Sequence, residues 1–172
     1  MIDKIIYFLA IILFLCFFWL SIKMTALFLA KKILNKEKEN LQKLLTKRHN
    51  LVPILIAMSE KFAEKNEKER EELIYTRAFA IKETDFNAEK IIIENELSQK
   101  IKEYIEIYKF LKNGLFLEIV YRIQDLSDLI ENESSLYSKL VMDFNKELNK
   151  GFIMVSAKIL KIKRENIFDF EK

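Results

Sequence analysis

Apolar and polar positions divide the chain into two regimes. From Ile5 to Ile22 eighteen residues pass without a charge; beyond them charges return every few positions and apolar residues recur in steps of three and four. An eighteen-residue helix is about 27 Å long, close to the ~30 Å hydrocarbon core of a bilayer. Residues 5–22 are therefore predicted to form a single transmembrane helix behind a short tail, residues 1–4. The apolar stretch Met24 to Ala30 extends that helix to residue 30 through the interface, with Lys23, Lys31 and Lys32 reaching lipid headgroups. A cleaved signal peptide fits less well. The run exceeds the usual apolar core of such peptides, only Lys4 (offset by Asp3) precedes it, and Trp19-Leu20-Ser21-Ile22-Lys23 contains no small-x-small cleavage site.

Residues 31–172 read as helices joined by short connections. Leu41, Leu44, Leu51, Leu55, Met58 and Phe62 fall on one helical face once Arg48 is counted in, and Pro53 predicts a kink or a division near Asn50. Glu64 to Glu72 is a charged helix start or connection, with Asn66 as a break. Leu73, Ile74, Ala78 and Ile81 form a short stripe with Arg77 in register, and Thr84, Asp85 or Asn87 caps the next helix. That helix carries Ile93, Leu97, Ile101, Tyr104, Ile105, Tyr108 and Leu111, and stops at Asn113-Gly114. The last long helix runs for about 35 residues, on the order of 50 Å. Its stripe is Ile119, Ile123, Leu126, Ile130, Tyr137, Val141, Phe144 and Leu148, with Glu133 filling one slot. Gly151 ends it, and Phe152 to Ile162 predicts a short apolar helix. No run alternates at period two. The expectation is an all-α chain: an N-terminal transmembrane helix followed by an antiparallel bundle of three to four long helices, with a parallel coiled coil as the alternative.

Composition narrows the chemistry. Two glycines and one proline in 172 residues are too few for a turn-rich β domain or a phosphate-cradling loop. The net charge of +3 is small and collects in lysines after the apolar run, which suits anionic lipid better than nucleic acid. Those lysines predict an outside N-terminus and a cytoplasmic body, as a single-pass protein of the cell membrane. One cysteine, Cys16, and one histidine, His49, rule out internal disulfides and the usual metal or nucleophilic constellations. No cofactor, metal or catalytic residue is expected. Arg48, Arg77 and Glu133 lie in register with apolar faces, and a buried charge is costly unless paired, so interhelical polar contacts are expected there.

Lys47-Arg48-His49-Asn50-Leu51-Val52-Pro53 resembles the motif of the LemA family: two basic residues, an aromatic, Asp, two aliphatics and Pro. The resemblance continues through Phe62-Ala63, Thr76-Arg77-Ala78, Glu94-Asn95-Glu96-Leu97-Ser98 and Glu106-Ile107-Tyr108-Lys109-Phe110-Leu111-Lys112. Tyr137, Val141, Phe144-Asn145, Ala157-Lys158 and Phe168 extend it towards the end of the chain. The chain departs from the pattern at Ile54, Lys109 and Gly151-Phe152, and carries Ser127 and Ser134 where the family has an acid and an Arg. The resemblance implies a membrane-anchored helical bundle and adds Glu106 to the polar positions of interest, but it implies no reaction. The expected function is a non-enzymatic scaffold or interaction protein at the inner membrane surface, contacting lipid and protein partners or self-associating. The alternative is a ligand-binding or enzymatic bundle with a small polar site between helices near Arg48, Arg77 and Glu106.

Overall fold

A computed structural model describes residues 2–62, 66–168 and 170, and the side chains of all of these but 2, 3, 62 and 152. Among the described residues the chain forms five helices and no strand: α1 Ile2–Phe62, α2 Glu67–Lys82, α3 Ala88–Ile107, α4 Gly114–Leu148 and α5 Gly151–Ile159. Ala63, Glu64 and Lys65 lie outside the described residues, so the charged connection is seen only from Asn66 onward.

Two compact units divide these helices. The anchor unit comprises Met1–Lys36 and Leu140–Glu165, the bundle unit Glu37–Lys139 and Asn166–Lys172. The apolar run lies within α1, which holds the one segment among the described residues long and apolar enough to cross a membrane, and none of that window is buried. Every side chain from Lys4 to Trp19 is exposed. So long an apolar surface far exceeds the patches that soluble monomers expose. Further along the anchor unit, Leu27 and Leu34 are buried, as are Val141, Phe144 and Leu148 of α4 and Ile153 and Ala157 of α5. Lys31 pairs with Glu165 and lies 5.8 Å from the centre of the Phe144 ring, while Lys23 sits 5.9 Å from the Trp19 ring and Lys32 is exposed.

Within the bundle unit the helices pack up, down, up, down, and the last reversal brings Tyr137, late in α4, against Phe86, just before α3. Lys90 reaches Ala80 and Lys100 reaches Glu72, which sets α2 antiparallel to α3. Arg48 meets Glu94 while Ser59 meets Tyr104, so α1 and α3 run the same way. One apolar core joins Val52, Leu55 and Ile56 of α1, Leu73 and Ala80 of α2, Leu97, Ile101 and Tyr104 of α3, and Phe116, Val120 and Ile123 of α4.

Several expectations need correction. Pro53 neither divides nor ends α1, which continues helical to Phe62. Proline cannot donate to the carbonyl four residues back, that of His49, and Arg77 supplies the missing donor: its Nε lies 2.6 Å from the His49 oxygen. Asn113-Gly114 does not stop α3. That helix ends at Ile107, and Asn113 instead caps α4, its Oδ1 accepting from Leu115 N at 3.0 Å and Phe116 N at 3.3 Å. Among the three candidate caps of α3, Asn87 takes the place, accepting from Lys90 N at 2.8 Å.

The stripes keep most of their positions but shift by one at several of them. The buried face of α1 in this unit is Leu41, Leu45, Arg48, Val52, Leu55 and Ser59, leaving Leu44, Leu51 and Met58 half-buried. On α2 the inward side chains are Leu73, Thr76 and Ala80, whereas Ile74, Ala78 and Ile81 face out. On α4 the polar slot belongs to Ser134, not to half-buried Glu133, and Ile119 and Leu126 flank a stripe running through Phe116, Val120, Ile123, Ile130 and Tyr137.

Candidate functional site

Four ionisable side chains converge inside the bundle unit. On α1, the four/three spacing that buries Leu41, Leu45, Val52 and Leu55 also carries Arg48 inward, and His49 follows beside it. Along α3 and its C-cap, Lys90, Glu94, Leu97, Ile101, Tyr104 and Tyr108 form one buried stripe in the same steps, which brings Glu94 opposite Arg48. Arg48, Lys90 and Glu94 are wholly buried, and His49 nearly so.

Glu94 is the hub. Arg48 Nη2 donates to its Oε2 at 2.7 Å, His49 Nε2 lies 3.0 Å from the same oxygen, and Lys90 Nζ is 2.8 Å from Oε1. Arg48 Nη1 also donates to Ser98 Oγ at 2.7 Å, and Ser98 Oγ in turn donates to the Glu94 carbonyl at 2.7 Å. Phe170 covers the guanidinium, its ring centre 5.0 Å from Cζ. Lys90 also donates to the Ala80 carbonyl, which ties the end of α2 into the cluster. Only Arg48 Nε among the donors of this guanidinium lacks a partner among the described residues.

The electrostatics follow from this crowding. Burial pushes the Glu94 carboxyl up, but the hydrogen bond and charge of His49, together with Arg48 and Lys90, outweigh it and hold the group at about 2. Burial pulls the Arg48 guanidinium down, and Glu94 opposes that pull. The cluster thus carries a carboxylate neutralised by at least two cations, an arrangement that binds helices together. Among the described residues no three side chains of metal-ligating type gather.

Of the four polar positions singled out in the sequence, Arg48 of α1 binds Glu94 of α3, and Arg77 of α2 donates to the carbonyl of the next α1 residue, His49. Glu106 and Glu133 do not join them. Glu106 is exposed and pairs with Lys109 of the turn after α3, and no ion pair among the described residues includes Glu133. Glu106 does line a cleft of about 460 Å³ between α3 and α4, floored by Ile101, Ile105 and Ile123. Ser98 and Phe170 also line that cleft, so its wall is shared with the Arg48 cluster. Glu94 and Lys90 were not singled out from the sequence. The signal for them existed: extending the α3 stripe back from Leu97 by three and then four residues reaches Glu94 and Lys90, whereas starting it at Ile93 passes them by.

A smaller groove of about 180 Å³ follows the α1–α2 seam, lined by Val52, Pro53, Ile56, Ala57 and Ile74 with Glu60 and Arg77 at its edge. Beside it α2 exposes Ile74, Tyr75, Phe79 and Ile81, with the Tyr75 and Phe79 rings in contact at 4.5 Å.

Comparison with known proteins places this architecture. Residues 37–172 match the LemA family, which covers most of the chain and starts where the bundle unit starts. No individually curated protein matches it. The chain belongs to the LemA family.

Proposed function

We propose that this LemA-family chain is a single-pass membrane protein whose cytoplasmic bundle recruits another protein, acting by binding and not by catalysis. The observation that carries the reading is the outer side of α2. Ile74, Tyr75, Phe79 and Ile81 are exposed on a helix that already buries Leu73, Thr76 and Ala80, and Ile74 borders a groove with room for one large side chain. An amphipathic partner helix fits such a surface, since its apolar anchors recur every one or two turns and a single large side chain seats in a groove. The buried charges support binding over chemistry, because Arg48, His49 and Lys90 all turn to Glu94 and away from solvent. The lysines after the apolar run support a cytoplasmic body.

A photo-crosslinking residue at Tyr75, in the full chain expressed in membranes, tests this. The expected result is a discrete adduct with one partner, lost when Ile74 is changed to Asp. An adduct pattern no different from that of a probe at exposed Glu89 overturns the reading, and an adduct of exactly twice the chain's mass replaces the partner with a second copy. A second reading, a small-ligand bundle, is favoured by the α3–α4 cleft, whose wall includes Ser98 and Glu106. A thermal shift of the full chain by a small-molecule collection, abolished by Ile105→Trp within the cleft, is the result that would prefer it.

A further inference from the structure

In the anchor unit, α5 buries one side and leaves the other uncovered. Ile153 and Ala157 are buried, whereas Met154, Val155 and Ile159 are exposed, Ile159 to 75%. Positions 154, 155, 158 and 159 share one face at helical spacing, so Lys158 stands among these apolar side chains. Lys161 and Lys163 are exposed just beyond, and among the described residues none of these three lysines has a carboxylate partner. The carboxylate that follows them, Glu165, is held by Lys31.

The position of α5 along α1 gives this face its meaning. Ile153 lines one groove of about 320 Å³ with Lys23, Leu27, Ala30 and Leu34 of α1. At about 1.5 Å per residue, Ala30 lies ~12 Å beyond Ile22, the last residue of the uncharged run. The start of α5 therefore stands beside the first turns that follow the apolar run, the level of the headgroup layer for a helix that spans a bilayer. Gly151, at φ +34, makes the turn that brings α5 there: a conformation that side-chain-bearing residues rarely adopt separates it from α4.

We propose that α5 is a second membrane contact, an in-plane helix that lays Met154, Val155 and Ile159 into the acyl boundary of an anionic leaflet. Lys158, Lys161 and Lys163 meet lipid phosphates at its edge. An apolar helix face flanked by lysines is the pattern by which interfacial helices bind such surfaces. The contact rests on the reading of residues 5–22 as a membrane span.

The test uses the full chain, with Cys16 changed to Ser, reconstituted in phosphatidylcholine vesicles with and without phosphatidylglycerol. An environment-sensitive fluorophore is placed at Ile159→Cys, with Lys139→Cys as the exposed control, and quenched by nitroxide-bearing lipid. The expected result is strong lipid quenching at position 159 and none at 139, increased by phosphatidylglycerol. Reversing Lys158 and Lys161 to Glu lowers the docked-to-undocked ratio by about fivefold per charge. Hydrogen exchange on the chain without fluorophore supplies a second readout: residues 151–160 exchange more slowly in the anionic vesicles. Alkaline carbonate extraction separates the two readings. A chain retained in the pellet whose position 159 stays unquenched, with unchanged exchange, overturns the α5 contact alone. A chain released by carbonate overturns the span and the contact together.

Discussion

Changing Glu94 to Gln keeps the side chain's volume and removes the one negative charge that Arg48, His49 and Lys90 share. Two routes give the size of the effect. Removing one member of a buried ion pair costs about 3–5 kcal/mol, because the remaining charge is left buried without compensation. Independently, the carboxyl is held at about 2 against an ordinary 4.5, and that displacement corresponds to about 3 kcal/mol of folding stability at neutral pH. For a chain of this size each kcal/mol moves the melting temperature by about 2–4 °C, so Glu94→Gln is expected to lower it by roughly 6–20 °C. The pH dependence has a definite sign. A carboxyl depressed in the folded state contributes stability that is complete above its unfolded value and lost as pH falls through the folded one. The wild-type chain should therefore lose this contribution between about pH 4.5 and pH 2, and the Gln variant should lack that component of acid sensitivity. The assay is far-UV circular dichroism of the full chain in detergent, melted across that pH range. Replacing Arg48 and Lys90 with Met and Glu94 with Leu together should recover at least half of the loss, since an apolar cluster leaves no charge stranded. A melting temperature within about 2 °C of wild type for Glu94→Gln, with an unchanged acid slope, would refute the reasoning.

Three further outcomes are expected. Arg77→Leu should cost about 1.5–3 kcal/mol in chemical denaturation. That cost should shrink in a Pro53→Ala background, where the backbone N–H at position 53 can satisfy the His49 carbonyl; a cost unchanged by Pro53→Ala would dissociate the two residues. Tyr104→Phe should cost about 1 kcal/mol by removing the hydrogen bond to the Ser59 hydroxyl 2.7 Å away, which keeps only its bond to the Ile56 carbonyl at 2.8 Å. Burial pushes the Tyr104 phenol up to about 12 and also raises the Tyr137 phenol, so ultraviolet titration should show a late ionisation whose amplitude falls in the Phe variant. Phe170→Ala should cost about 0.5–2 kcal/mol by uncovering the Arg48 guanidinium, and the same substitution in an Arg48→Met chain should cost less.

How much of this was legible in the sequence depended on the range of the interaction. The all-α class, the apolar run and the length of α4 follow from local periodicity and the near absence of glycine and proline, and each stands in the structure. The stripes were harder, because α3 offers two adjacent starting points, Ile93 and Glu94, and hydrophobicity alone favours the isoleucine. Burial chose the other, since a carboxylate can face inward when three basic groups meet it there. Arg48 announced itself by sitting on an apolar face, but its partner lies 46 residues away and no local pattern names it. Pro53 shows the same limit. Proline chemistry predicts an orphaned carbonyl, and only the packing of α2 reveals that Arg77 satisfies it so that the helix need not break. Glu133 failed for the opposite reason: a slot in a three/four pattern is one residue wide, and Ser134 occupies it.

The polar contacts between α1 and α3 act on register more than on bulk stability. Burying Arg48, Lys90 and Glu94 carries a desolvation cost that their mutual attraction largely offsets, and a well-packed apolar trio would serve stability as well. What an apolar trio would not do is choose an alignment. Arg48 meets Glu94 and Ser59 meets Tyr104, separations of 46 and 45 residues, so a single alignment of the two helices satisfies both pairs. Sliding α3 by one turn, about 5.4 Å, would bring Ser98 to the place of Glu94 and leave Arg48 with no carboxylate, while Ser59 would lose its phenol. The Leu and Ile side chains between these pairs could interdigitate nearly as well after such a slip, because the stripe repeats itself every turn. The single carboxylate does not repeat. It is the asymmetry of the charges, and not the apolar periodicity, that holds α1 and α3 in one register, and through Lys90 and the Ala80 carbonyl the same residue fixes the end of α2.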